Sequence, residues 1–190
     1  ENMTFKAVDA IKEAETIVAY TKYLDYVEDF IAGKEIIKTG MTGEKERCQL
    51  AIDEYNKGKT VAIISTGDSG LYGMAGLVYE IDSSINIEVV PGVSAAFSSA
   101  SVVGAPLMHD TALISLSDLL TDWDLILKRV RNCADADMVI ALYNPKSKKR
   151  VDNLKEALDI IREYRSASTP IAMVKNALRE GMDYKISTLD

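Results

Sequence analysis

Two cysteines and a single histidine in 190 residues leave little material for metal or redox chemistry. Cys48 and Cys133 lie far apart and match no metal-ligand or Cys-x-x-Cys spacing, so both read as small buried or half-buried hydrophobes. No metal ligand set is visible in the sequence. Long hydrophobic runs are also missing: none approaches the roughly 18–20 residues of a membrane span. Cations are in deficit, 22 Lys and Arg against 29 Asp and Glu, for a net charge of −7. That balance argues against a general nucleic-acid binder, which shows a basic face, but a few clustered cations suffice for a local anionic ligand. Internal repeats and low-complexity segments are absent too. What is present is apolar material, 47% of the chain. It is enough for a real core in one large domain or two small ones.

The most informative stretch is residues 60–74. A short β-branched run, Val61 to Ile64, ends in a loop with Gly67, Gly70 and Gly73 spaced by three. The run reads as a buried parallel strand with a Gly-rich loop at its carboxyl end, the edge where open α/β sheets bind ligands. Glycine there lets main-chain groups approach a ligand with no Cβ in the way. Asp68 adds a carboxylate at the same edge. Gly-Asp-Ser-Gly also surrounds the nucleophile of trypsin-like serine proteases, so a serine hydrolase using Ser69 is an alternative from another class. Against it, residue 71 is Leu, which breaks a G-x-S-x-G elbow, and His109 would have to be the base. A purely structural turn is the third reading.

Hydrophobic patterning predicts a helix after an N-cap at Thr4, a strand over 16–20, and helices over 21–31 and 44–57, the second closed by Gly58. A helix over 72–80, a strand over 85–90, a Pro91-Gly92 turn and a small-residue helix over 93–103 follow. Alternating β and α elements predict a parallel, doubly wound sheet. Gly104-Ala105-Pro106 breaks the series. A second one follows: strand 111–116, helix 122–133, strand 138–142, helix 150–164, strand 171–174 and a last strand over 184–189 with no evident partner. The expected division is an α/β lobe over 1–108 and another over 109–190, with a ligand cleft between them. Opening on a helix and closing on an unpaired strand reads as truncation at both ends.

Further motifs sit at strand ends. Pro91-Gly92-Val93-Ser94-Ala95 is a second strand-to-helix junction, where Ser94 can cap and the helix start attracts an anionic or hydroxyl oxygen. Two junctions from successive strands would converge on one site. His109, beside Asp110 at the expected boundary, is a candidate acid–base group; a hydrogen-bonded structural histidine is the bland alternative. Ser115-Leu116-Ser117-Asp118 follows it. Tyr143-Asn144-Pro145-Lys146-Ser147-Lys148-Lys149-Arg150 puts four cations in five positions at a strand end. The run is either a solvated basic turn or a grip on a polycarboxylate. Lys175-Asn176-Ala177-Leu178-Arg179 has the same placement.

Taken together, residues 65–77, 89–96, 104–110, 114–123 and 141–150 resemble the tetrapyrrole methylases, class III S-adenosylmethionine methyltransferases. Within that family they resemble the precorrin-3B C(17)-methyltransferase branch. The resemblance covers essentially the whole chain. The Gly-Asp loop and Pro-Gly-Val-Ser-Ala are shared across the family, whereas Ser-Leu-Ser-Asp-Leu-Leu and Tyr-Asn-Pro are more specific to the branch. It implies a two-lobed α/β fold with S-adenosylmethionine in the cleft. The cofactor would be held by Thr66, Gly67, Asp68, Leu71, Ser94 and Ala95, with Leu142, Tyr143 and Ala177 closing over it. It implies a precorrin-3B or cobalt-precorrin-3 substrate, methylated at C-17 with contraction of the macrocycle. Ser117, Asn144, Lys146, Lys148, Lys149 and Arg150 would meet that substrate, and His109 and Asp110 would serve as the catalytic pair. It further implies a cytoplasmic homodimer. The family's Gly-x-Gly-Pro-Gly first loop has no match here. A sister methylase with another substrate is the nearer alternative.

Overall fold

β1 (Thr16–Tyr20) shows why the first half folds as it does. Its residues Thr16 through Ala19 are fully buried, as expected of a strand covered on both faces, and its sequence accordingly does not alternate. The structure, a computed structural model, describes residues 2–147 and 150–190. Two compact units divide the chain, Glu1–Ser94 and Ala95–Asp190.

In the first unit β1 is the centre of a three-stranded parallel sheet. It is flanked by β2 (Glu35–Thr39) and β3 (Val61–Ile64), in the order β2-β1-β3. Helix α1 (Phe5–Glu13) starts at Thr4, whose side chain accepts the Ala7 N–H at 3.2 Å, and it buries Ile11. The helix expected over 21–31 is broken into α2 (Thr21–Leu24) and a 3-10 turn at Glu28–Phe30. The Tyr23 ring meets Tyr20 edge-on and Tyr26 in a stack across this segment. β2 was not anticipated, because Glu35 and Lys38 interrupt its apolar pattern. Helix α3 (Glu44–Asn56) ends where expected. Gly58 takes φ +85° and donates its N–H to the Tyr55 carbonyl at 2.8 Å. Helix α4 (Ala75–Ile81) begins three residues later than predicted, because Tyr72 adopts φ +54°. The strand expected over 85–90 does not form. Ile85 and Ile87 instead pack on the Cys48, Ile52, Met74 and Val78 cluster, so their alternation serves side-chain packing rather than a ladder.

The second unit opens with helix α5 (Ala95–Val102), so the observed divide precedes α5, whereas the sequence pattern placed it after residue 108. β4 (Thr111–Ser115) and β5 (Val139–Tyr143) pair in parallel, from Thr111↔Val139 to Ser115↔Tyr143. Helices α6 (Trp123–Asp135) and α7 (Asn153–Arg162) supply Ile126, Val130, Ala157, Ile160 and Ile161 to a core that also takes Ile114 and Leu116. β6 (Pro170–Lys175) and β7 (Asp183–Thr188) form an antiparallel pair, so the last strand does have a partner. Leu189, just past β7, is buried, and its carbonyl accepts both Arg162 Nε and Nη2.

Candidate functional site

In the first unit the site is built from main chain. β3 ends at Ile64 and the loop 65–74 turns back at Gly67, φ +72°. Asp68 closes it: Oδ1 accepts the Gly70 N–H at 2.8 Å and Oδ2 the Gly92 N–H at 3.0 Å. These N–H groups, Gly92 first, then Gly70 and Leu71, hold the carboxyl below the usual carboxylate range. Asp68 therefore staples the Gly-rich loop to the Pro91-Gly92 turn, and the two junctions do meet. The approach is so close that a Cβ on Gly92 would run into the Gly67 carbonyl oxygen. A Cβ on Gly73 would lie 2.5 Å from the Ser69 carbonyl oxygen. The Ser69 hydroxyl donates to the Val90 carbonyl at 3.2 Å, which makes it a second tie between the junctions. Thr66 and Gly67 are exposed, Asp68 and Leu71 half-buried, and Ser94 is buried at the unit's end. Ala95, the first residue of α5, is exposed.

In the second unit the site is built from side chains. β4 and β5 end together, and the Asn144 amide donates to Ser115 Oγ at 3.0 Å across that edge. Ser115 Oγ also accepts the Ser117 N–H at 3.3 Å, while Asn144 sits at φ +51°. The Tyr143 hydroxyl accepts the Ala96 N–H at 2.9 Å and thereby anchors the start of α5 to β5. Ser147 and Arg150 bond reciprocally, Ser147 N–H to the Arg150 carbonyl and Arg150 N–H to Ser147 Oγ. Arg150 Nη1 stands 3.8 Å from Asp118, and its buried Nε finds no hydrogen-bond partner among the described residues. Lys146 is exposed; Lys148 and Lys149 lie outside the described residues. Leu142 packs partly into the core, and Ala177 lies in the turn after β6 between Asn176 and Leu178, both at positive φ.

His109 and Asp110 are not brought to this edge. Both are exposed and precede β4, with their carbonyls taken by Thr111 Oγ1 and Val139 N–H. At about 3.3 Å per strand residue, the length of β4 holds them roughly 20 Å from Ser115. Ser115, named in the sequence only as part of the Ser115–Asp118 segment, is the last residue of its strand and accepts the Asn144 amide. Sequence reasoning passed over Arg47, buried under the first sheet's carboxyl edge, whose neighbours Glu46 and Lys45 made it read as solvated surface. Among the described residues, no group of three His, Cys, Asp or Glu gathers to hold a metal, and no helix is long and apolar enough to cross a membrane.

A family model described as Tetrapyrrole (Corrin/Porphyrin) Methylases matches residues 1–190. The chain belongs to this family. A cobalt-factor III methyltransferase of Priestia megaterium is 45% identical to it, over 100% of this chain and 36% of that protein. A probable cobalt-factor III C(17)-methyltransferase of Salmonella typhimurium is 46% identical, over 98% of this chain and 79% of that one. The chain thus spans little more than a third of the first relative and about four fifths of the second. Among solved structures, the methyltransferase CobJ superposes with a TM-score of 0.92 at 29% identity, covering 99% of this chain and 81% of that one.

Proposed function

We propose that the protein is an S-adenosylmethionine-dependent C-methyltransferase acting at C-17 of a cobalt-bearing, polycarboxylate tetrapyrrole, with contraction of the macrocycle. The observation that carries the reading is the cradle at residues 65–74 and 90–92, in a chain 46% identical to a probable cobalt-factor III C(17)-methyltransferase. Glycines at 73 and 92 let the two loops close directly on each other's main chain, and the exposed Thr66 and Gly67 at the turn leave a wall that fits a cofactor gripped by backbone groups. The cofactor supplies an already activated methyl group on its sulfonium. The chain's residues then have to align and exclude water rather than activate a nucleophile. Thr66, Gly67, Asp68 and Leu71 present main-chain groups. Ser94 and Ala95, like Leu142, Tyr143 and Ala177, are assigned to the cofactor by the family resemblance.

Substrate recognition falls to Arg150, Lys146, Asn144 and Ser117. Among the described residues the buried Arg150 Nε has no hydrogen-bond partner, and the guanidinium offers a substrate carboxylate the planar geometry it favours. Arg150→Ala should raise the substrate KM about tenfold with the affinity for S-adenosylhomocysteine unchanged. His109 and Asp110 are proposed to move protons during contraction, which requires the macrocycle to reach the amino end of β4. His109→Ala supports this role if contraction is lost and methylation retained, and removes it if both run at wild-type rates. The protein is further proposed to work as a cytoplasmic homodimer, which sedimentation of the full chain reads.

The deciding experiment incubates the full-length protein with methyl-labelled S-adenosylmethionine and with cobalt-bearing or metal-free tetrapyrrole. Label transfer to the cobalt form is expected. Transfer to the metal-free form alone would reassign the substrate. Failure to bind S-adenosylhomocysteine, with fluorophosphonate labelling of Ser69, would reinstate the hydrolase reading.

A further inference from the structure

Beneath the carboxyl edge of the first unit's sheet lies a buried cation that the proposed reaction does not use. Arg47, in the first turns of α3, is 3% exposed. Its Nε donates to Thr39 Oγ1 at 2.8 Å and its Nη2 to the Gly40 carbonyl at 2.9 Å. Nη1 stands 3.7 Å from Met74 Sδ, and the guanidinium lies 5.9 Å from the centre of the Tyr20 ring. Tyr20 is the last residue of β1 and Thr39 the last of β2, and Met74 ends the loop that follows β3. One planar group therefore touches the carboxyl end of all three strand paths.

No carboxylate lies within 4.0 Å of it among the described residues, although a buried charge is expensive unless paired. An apolar side chain of similar length would fill the space without that cost, so fold stability alone does not account for arginine here. A three-pronged donor does something an apolar chain does not: it fixes the relative positions of three loop origins. Met74 is the pivot. The next residue, Ala75, donates its N–H to the Ser69 carbonyl at 3.1 Å, Leu71 donates to the Asp68 carbonyl at 3.3 Å, and Asp68 bonds Gly92. Fixing Met74 thus fixes the whole closed loop.

We propose that Arg47 is a positioning residue, holding the 65–74 loop through Met74 against the ends of β1 and β2. That the loop's ligand is S-adenosylmethionine rests on the function proposed above; the positioning itself does not. The test uses Arg47→Met and Arg47→Lys in the full chain, with amide hydrogen exchange and calorimetric titration of S-adenosylhomocysteine. In Arg47→Met the amides of Gly70, Leu71 and Ala75 should exchange about tenfold faster while those of β1 stay protected. Binding should weaken about tenfold. Arg47→Lys keeps the charge and one donor but loses the fork, and should fall between the two; it carries the test alone if Arg47→Met does not fold. Unchanged exchange at those amides overturns the proposal whatever the affinity. So does exchange accelerated equally in β1, which marks a merely structural role. If the wild type fails to bind S-adenosylhomocysteine, the cofactor assignment falls, and the exchange pattern still decides on Arg47.

Discussion

At the carboxyl edge of the β2-β1-β3 sheet, glycine main chain sets how closely two loops meet; at that of the β4–β5 pair, side-chain hydrogen bonds set the contacts. The first edge is shaped by what is missing, Cβ atoms at Gly73 and Gly92, and locked by one carboxylate bonded to N–H groups on two loops. The second is shaped by Ser115, Asn144, Tyr143 and Arg150, each holding or offering a specific polar atom. Main chain cannot be changed by point substitution without deforming the fold, so the first edge suits a ligand common to a whole family. A side-chain edge can be re-cut residue by residue, and suits the part of the reaction that differs among family members.

The largest effect should come from breaking the first edge sterically. Gly92→Ala drives a methyl into the Gly67 carbonyl, and urea denaturation should show a loss of about 3 kcal/mol, with S-adenosylhomocysteine binding abolished. Next comes the staple. Asp68→Asn keeps the shape but not the charge, and should weaken that binding about tenfold. Because the folded carboxyl is held below its ordinary range, its contribution is complete above the unfolded value. It is lost as pH falls through the lower folded one. Wild-type stability should therefore decline as pH falls below about 4, read by urea denaturation, and Asp68→Asn should flatten that acid limb. At the second edge, Tyr143→Phe leaves the Ala96 N–H without its acceptor and should cost about 1 kcal/mol of the second unit's stability. Its effect should be smaller than that at Gly92 because a side-chain edge adapts. The smallest change tests whether glycine matters only at the contact. Gly76, exposed within α4 with nothing near a prospective Cβ, should as alanine add about 0.5–1 kcal/mol and leave binding untouched.

Much of the first edge was legible, because a β-branched run followed by glycines at 67, 70 and 73 is a local signal. That the two junctions meet was also expected from their placement, but not how: Gly92 meets Gly67 only through the fold, and the partners of Asp68 are N–H groups that every residue but proline carries. Arg47 was invisible for the opposite reason. Among Glu44, Lys45 and Glu46 it reads as solvated surface, and only packing against Tyr20, Thr39 and Met74 buries it. β2 was hidden by Glu35 and Lys38, tolerable on a strand at the end of the sheet. Residues 85–90 misled because alternation serves packing on α3 and α4 as well as it serves a ladder.

His109 shows the same limit. Only five residues lie between it and Ser115, which in sequence looks like one cluster, but an extended strand turns that spacing into distance.

By itself the sequence determined the α/β class, the family, the Gly-rich loop and the cation-rich turn, since these are written in short-range periodicity and residue type. The tertiary structure decided which glycines touch, where Asp68 spends its charge, that Arg47 is buried, and that the last strand pairs with β6. Those outcomes depend on contacts between residues distant along the chain, and no local pattern encodes them.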